Sequence, residues 1–227
     1  SANLFKFSFL SLSTRSPRKP LKYSVALLLN NKFMKKVLKD FDIIIPLAAL
    51  VGAPLCDKFK KKAIKTNVET VKIIVKNLRK DQKIIYPTTN SGYGIGQKDR
   101  FCDENSPLNP ISLYGRTKLQ AETLVLSHKN SIAFRLATVF GFSYRMRTDL
   151  LVNNFVQTAV QKKELLIFEP NFRRNYVHIV DVVNAFIFAI ENFSKLKGNI
   201  FNLGLSSANL TKLMLAKKIK KNYKNLK

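Results

Sequence analysis

Lys83-Ile84-Ile85-Tyr86-Pro87-Thr88-Thr89-Asn90-Ser91-Gly92-Tyr93-Gly94 is the stretch that decides how this chain folds. Its first half is a short apolar run of the kind found in a strand covered on both faces. Its second half is a hydroxyl-rich turn that contains glycine. Downstream, Ser112 opens a helical pattern that runs to Ser127 and carries Tyr114-Gly115-Arg116-Thr117-Lys118-Leu119-Gln120. A helix brings Tyr114 and Lys118 to one face, about one turn apart. A free tyrosine titrates near pH ~10 and a neighbouring cation favours its phenolate, so the pair makes a usable base from a poor one. Each residue alone has a plainer reading: Thr89 as a strand-end hydroxyl, Tyr114 as a half-buried helix aromatic, Lys118 as a solvated lysine. Together they are an assembly for proton and hydride chemistry at a carbinol.

The pattern extends in both directions. Ile43-Ile44-Ile45 is a second continuous apolar run, followed by Val68, Val71, Val75 and Leu78 at helical spacing. Ile132-Ala133-Phe134-Arg135-Leu136 is another strand. This β-α-β-α-β order predicts an α/β fold with a doubly wound, Rossmann-like parallel sheet and right-handed crossovers. Beyond Thr148 the sequence predicts a helix to about Lys162, short strands near Leu166 and Tyr176, and a helix from Val180 to Asn192.

These segments resemble the extended short-chain dehydrogenase/reductases, the NAD-dependent epimerase/dehydratase family that acts on nucleotide sugars. The resemblance runs from about Asn31 to Lys221. It rests on Ile43-Ile44-Ile45-Pro46-Leu47-Ala48-Ala49, Lys65-Thr66-Asn67-Val68, Pro107-Leu108-Asn109-Pro110 and Arg135-Leu136-Ala137-Thr138-Val139-Phe140-Gly141. Arg174-Asn175-Tyr176-Val177-His178-Ile179-Val180-Asp181-Val182 and Phe201-Asn202-Leu203-Gly204 complete it. By this resemblance Leu47, Ala48, Ala49, Asn67 and Leu136, with Tyr114 and Lys118, line an NAD site. Thr89, Tyr114 and Lys118 are the catalytic trio. Tyr114 removes a proton from a sugar hydroxyl while hydride passes to the nicotinamide; Thr89 bonds the reacting oxygen; Lys118 assists Tyr114 and bonds the nicotinamide ribose. Asn90, Ser91, Thr138, Asn154 and Arg174 face the substrate, with Asn154 and Arg174 toward its diphosphate.

The resemblance also bears on the reaction. Dehydratases of the family follow the catalytic Thr with Asp-Glu, because eliminating water needs an extra acid and base. This chain has Asn90-Ser91. Epimerisation, a reversible oxidation and reduction at one carbon, needs only Thr, Tyr and Lys. A nucleotide-sugar epimerase is therefore expected, with a nucleotide-sugar reductase or dehydratase of the same family as alternatives. Pro46 stands where many members have His.

The start of the chain departs from the family. No glycine precedes Gly52 and the first 39 residues hold no Asp or Glu, so the Gly-rich turn that cradles a pyrophosphate and the acid that holds a ribose are both missing. Residues 1–31 are expected to be atypical, residues 32–148 a partial NAD-binding core, and residues 149–227 a partial substrate lobe, the chain being truncated at both ends relative to the family.

Composition bounds the remaining classes. With 46% hydrophobic residues in 227, the chain can build a core. Its net charge of +26 invites a nucleic-acid reading. The lysines are scattered through every element and no nucleic-acid module is present, so no nucleic-acid partner is expected. A non-catalytic basic binding protein on a decayed scaffold is the alternative from another class. Cys56 and Cys102, His128 and His178 form no metal pattern, and reduced packing cysteines fit a cytoplasmic enzyme. Ile43 to Cys56, the best apolar stretch, is broken by Pro46 and Pro54, so no membrane partner is expected. Asp181 is expected to cap its helix and His178 to pack and hydrogen-bond. A homodimer is the assembly considered.

Overall fold

The isoleucine run at 43–45 alternates its side chains across a strand, yet all three are buried, which requires cover on both faces of the sheet. The computed structural model describes residues 7–11, 21–23, 25–95, 101–143 and 146–223. Much of the segment 1–31 expected to be atypical lies outside the described residues. In chain order the elements are β1 (Phe7–Ser11), β2 (Leu21–Tyr23), α1 (Val25–Leu28), α2 (Asn31–Leu38), β3 (Ile43–Pro46), α3 (Ala53–Lys58), α4 (Lys60–Ile64), α5 (Thr70–Asn77), β4 (Lys83–Thr89), α6 (Leu113–Leu126) and β5 (Ser131–Leu136). Then come β6 (Thr138–Phe140), α7 (Leu151–Lys162), β7 (Arg173–His178), α8 (Ile179–Glu191), α9 (Phe193–Leu196), β8 (Asn199–Leu203), β9 (Asn209–Thr211) and α10 (Lys212–Asn222). A π-helical turn, Lys65–Glu69, joins α4 to α5, and a 3-10 turn, Asn90–Tyr93, follows β4.

The chain forms two compact units, Ser1–Arg135 with Ala189–Asn202, and Leu136–Phe188 with Leu203–Lys227. It therefore first leaves the first unit after Arg135. The first unit is built on a sheet of order β2-β1-β3-β4-β5-β8, with β3 and β4 parallel and in register at Ile44 and Ile84. The helical connections β3 to β4 and β4 to β5 join neighbouring strands, as a parallel α/β sheet demands. β1 breaks that rule. It runs antiparallel to β3, with Leu10 opposite Ile45, and antiparallel to β2. The position beside β3 is thus held by a hairpin strand and not by the first strand of a β-α-β unit.

One core cluster joins Met34 and Leu38 of α2, Ile44, Val71 and Ile74 of α5, Ile84 and Tyr86 of β4, and Ala121 and Val125 of α6. Burial of each large side chain there contributes on the order of 1.5–3 kcal/mol. α6 starts where the sequence places it: Ser112 accepts from the Gly115 amide at 3.1 Å and so satisfies an orphan donor of the first turn. Gly94 has φ +70°, and a Cβ there would run into the Asn109 carbonyl, so this turn demands glycine.

The second unit holds the sheet β6-β7-β9, parallel between β6 and β7 and antiparallel between β7 and β9. Tyr176 packs with Val152, Phe155, Leu210, Leu215 and Ala216 on one side of β7, and Val177 with Ala137 and Val182 on the other. Two expectations fail here. No strand forms at Leu166, because that short apolar run has no strand partner. Asp181 is not a cap: α8 begins at Ile179, which leaves Asp181 inside the first turn, and His178 Nδ1 accepts from the Val180 amide at 3.3 Å instead. Among the described residues no helix is long and apolar enough to cross a membrane, and no cluster of His, Cys, Asp and Glu could hold a metal.

Candidate active site

The loop after β3 carries Leu47, Ala48 and Ala49; Leu47 is exposed and Ala48 buried. It is pinned by Asn67. That side chain accepts from the Leu50 amide at 2.7 Å and donates to the Leu50 carbonyl and to Thr117 Oγ1, both at 3.1 Å. Asn67 lies in the π-helical turn, where one extra residue widens the helix and frees a side chain to reach across. Its amide is fully engaged, so the structure places it as a brace joining the loop, α5 and α6. Cys56 donates to the same Leu50 carbonyl at 3.1 Å; burial first, and then Asp57, push its thiol up to about 11.

Thr89 caps the 3-10 turn at the end of β4. Its Oγ1 accepts from the Ser91 amide at 3.2 Å and lies 3.1 Å from Ser91 Oγ. The turn abuts the start of α6: a Cβ on Gly115 would stand 3.0 Å from the Ser91 carbonyl. This close approach sets Thr89 and Ser91 beside the turn of α6 that carries Tyr114. Tyr114 is half-buried and packs on Leu50, Cys56 and Ala63.

Lys118 is buried, 3% exposed, and its Nζ donates to the Tyr86 hydroxyl at 2.7 Å, 4.0 Å from the centre of that ring. Burial pushes the ammonium down from an ordinary 10.5 to about 7, against the pull of Glu122. Tyr86 is raised well above its ordinary value, first by burial and then by the nearby Tyr114 and Glu122. Tyr86 thus bonds Lys118 and lies within electrostatic reach of Tyr114. Alternation from Ile84 puts Tyr86 on the face that α6 covers.

A buried polar network that no sequence motif announces adjoins the pair on α6. Arg135 meets Glu122 at 2.7 Å, both nearly inaccessible. Its other nitrogen, Nη1, donates to the Tyr93 hydroxyl at 2.9 Å and to the Glu104 carbonyl at 3.1 Å. Tyr93 in turn donates to Asn202 Oδ1 at 2.7 Å. The network ties α6, β5, β8 and the turn after Thr89 together. Spacing offered one clue, since Glu122 is one helical turn beyond Lys118.

The other expected residues lie in the second unit. Leu136 packs with Ala137, Val177 and Val182, and Thr138 opens β6. Arg174 is exposed on β7, its guanidinium 5.0 Å from the Phe172 ring. Asn154 is exposed on α7. Its neighbour Asn153 is the buried one, accepting from the Gly141 amide at 3.2 Å and donating to the Arg147 carbonyl at 3.0 Å.

Comparison with known proteins gives the family of the chain. The model of the NAD dependent epimerase/dehydratase family matches residues 11–204. The chain is 29% identical over 181 residues to the uncharacterized UDP-glucose epimerase YtcB of Bacillus subtilis, covering 75% of this chain and 55% of that protein. It is 28% identical over 210 residues to the dTDP-D-glucose 4,6-dehydratase of Dictyostelium discoideum, covering 85% and 46%. The UDP-glucuronic acid 4-epimerase of Bacillus cereus, solved with UDP-glucuronic acid and NAD, superposes with a TM-score of 0.75 at 25% identity, covering 86% of this chain and 63% of that one. The chain spans about half the length of these two curated relatives. It belongs to the NAD dependent epimerase/dehydratase family.

Proposed function

We propose that this chain is the catalytic portion of a nucleotide-sugar epimerase that uses NAD to oxidise and re-reduce one sugar carbon. The observation that favours epimerisation over dehydration is the surroundings of Thr89. Elimination of water needs an added acid and base. Asn90 and Ser91 carry no carboxyl, and Ser91 is engaged by Thr89 through both its amide and its hydroxyl. The carboxylates on the neighbouring elements are also engaged, Glu122 by Arg135 and Glu104 by the Asn202 amide at 2.6 Å.

NAD, when bound, supplies acceptance and return of a hydride. The residues for its nicotinamide ribose end fit: Lys118 offers a buried ammonium, and the braced loop from Leu47 to Leu50 offers an ordered wall. The described residues do not fit its pyrophosphate end, because the strand beside β3 is antiparallel and no glycine precedes Gly52. In this reading Tyr114 takes the proton of the reacting hydroxyl and returns it. Thr89, oriented by Ser91, bonds the same oxygen. Lys118 offsets the charge that develops on the phenol, increasingly as pH falls through about 7, where the ammonium form comes to prevail. Arg174 supplies a guanidinium for phosphate.

The test is to incubate the protein and NAD with UDP-, dTDP- and GDP-sugars and follow the products by proton NMR. Appearance of a stereoisomer with no net change in NAD supports the proposal. Loss of water to a 4-keto-6-deoxy sugar, or stoichiometric consumption of NADH in a parallel reaction supplied with it, would replace it with a dehydratase or a reductase.

A further inference from the structure

We infer that Tyr86 is a positioning residue for Lys118, its hydroxyl holding the ammonium in place within the core. The inference rests on the reading of Lys118 as the partner of Tyr114. An ammonium has three donors and no acceptor, so in a site closed to water each available oxygen decides where the charge points and whether it survives. Lys118 is 3% exposed and Tyr86 2%. The Tyr86 oxygen accepts from Nζ at 2.7 Å.

Packing alone does not ask for this hydroxyl. Tyr86 is surrounded by the apolar cluster of Ile44, Ile84, Val71, Ala121 and Val125, where a phenylalanine would fill the same space. The hydroxyl is the feature that answers Lys118. Other titratable groups act here from each side. Tyr114 and Glu122 come from α6 itself, Arg135 of β5 is engaged with Glu122, and Cys56 of α3 packs beside Tyr114. The bond to Tyr86 sets the direction of at least one N–H group of Nζ.

The test reads Lys118 directly. Protein carrying lysine labelled with carbon-13 at Cε is titrated by heteronuclear NMR, and Lys118→Arg assigns the Lys118 signal. In the unmodified chain Lys118 is expected to titrate well below the ordinary lysine value of 10.5. In Tyr86→Phe its midpoint falls by about one further pH unit, a tenfold loss of proton affinity. A merely structural hydroxyl would alter the unfolding midpoint and leave this titration where it was; an unmoved or raised midpoint overturns the inference. Should Tyr86→Phe fail to fold, 3-fluorotyrosine at position 86 keeps the ring and hydroxyl while making a poorer acceptor, and the midpoint must fall in the same direction. The measurement uses neither NAD nor a sugar. A shifted midpoint without turnover therefore supports the inference while removing the epimerase reading, and turnover with an unmoved midpoint does the reverse.

Discussion

Removing the charge of Glu122 tests the polar network on which α6 stands. Glu122→Gln keeps the size of the side chain and leaves the Arg135 guanidinium, which approaches it at 2.7, 3.2 and 3.3 Å, without a counter-charge. Side-chain exposures of 3% and 4% mean that water cannot substitute. Two estimates converge. Unit charges about 4 Å apart interact by about 4 kcal/mol at an effective dielectric of ~20, and breaking a buried pair by removing one partner costs roughly 3–5 kcal/mol in measured cases. The remaining bonds of Arg135 to Tyr93 and the Glu104 carbonyl recover none of that charge term. A surplus of positive charge, +26 over the chain, makes relief by neighbours weaker still. Glu122→Gln should therefore lower stability by about 4 kcal/mol, measured by urea unfolding followed by circular dichroism. The double variant Glu122→Leu with Arg135→Met should regain much of this, because no charge is left stranded. A single-variant loss below about 1 kcal/mol, the size expected of a surface pair, would refute the reasoning; so would a double variant that simply adds two losses.

Three further outcomes follow from the site. Lys118 has a folded value of about 7 against an ordinary 10.5, so the folded state disfavours its charged form. Its penalty is fully present below pH of about 7 and fades as pH rises toward 10, worth at most about 5 kcal/mol; unfolding measured against pH should show stability climbing through that window, and Lys118→Met should remove that contribution. Asn67→Ala deprives the buried Leu50 amide and carbonyl and Thr117 Oγ1 of partners; urea unfolding should show a loss of about 2–3 kcal/mol, and a loss under half of that would mean the loop does not depend on the brace. Calorimetric titration with NAD should show binding weaker than micromolar, and tight binding would show that a pyrophosphate cradle exists without the glycine turn.

The strands and helices that carry the first unit were legible because each has a local signature. Ile43–Ile45, Ile84–Tyr86 and Ile132–Leu136 are apolar runs and α6 has its Ser112 cap; in the second unit α7 and α8 have helical periods. What could not be read depends on partners far away in sequence. β1 and β2 form a hairpin against β3 from a segment without a strand pattern clear enough to read. The π-helical turn around Asn67 is a widening that no periodicity announces. The pairing of Glu122 with Arg135 crosses from helix to strand, and Tyr86 looks apolar until Lys118 is seen beside it. Site residues matched by family resemblance fall into both units, and no local pattern announces that Asn153 beside the exposed Asn154 makes the buried bonds.

α6 is the element on which these observations converge. Along it Tyr114, Thr117, Lys118 and Glu122 meet, in turn, the Leu50–Cys56 cluster, Asn67, Tyr86 and Arg135. Three of these contacts are polar, buried and specific in direction, whereas the helix could have been held by apolar packing at lower cost in desolvation. Apolar packing tolerates rotation of a helix by several degrees. A set of hydrogen bonds at 2.7–3.1 Å to three separate elements does not. Proton transfer requires the base within hydrogen-bond reach of its target, so a catalytic helix benefits from such fixation more than from added stability. The price in desolvation is consistent with a helix whose orientation matters more than its strength, and that orientation is what Tyr114 would need to do its work.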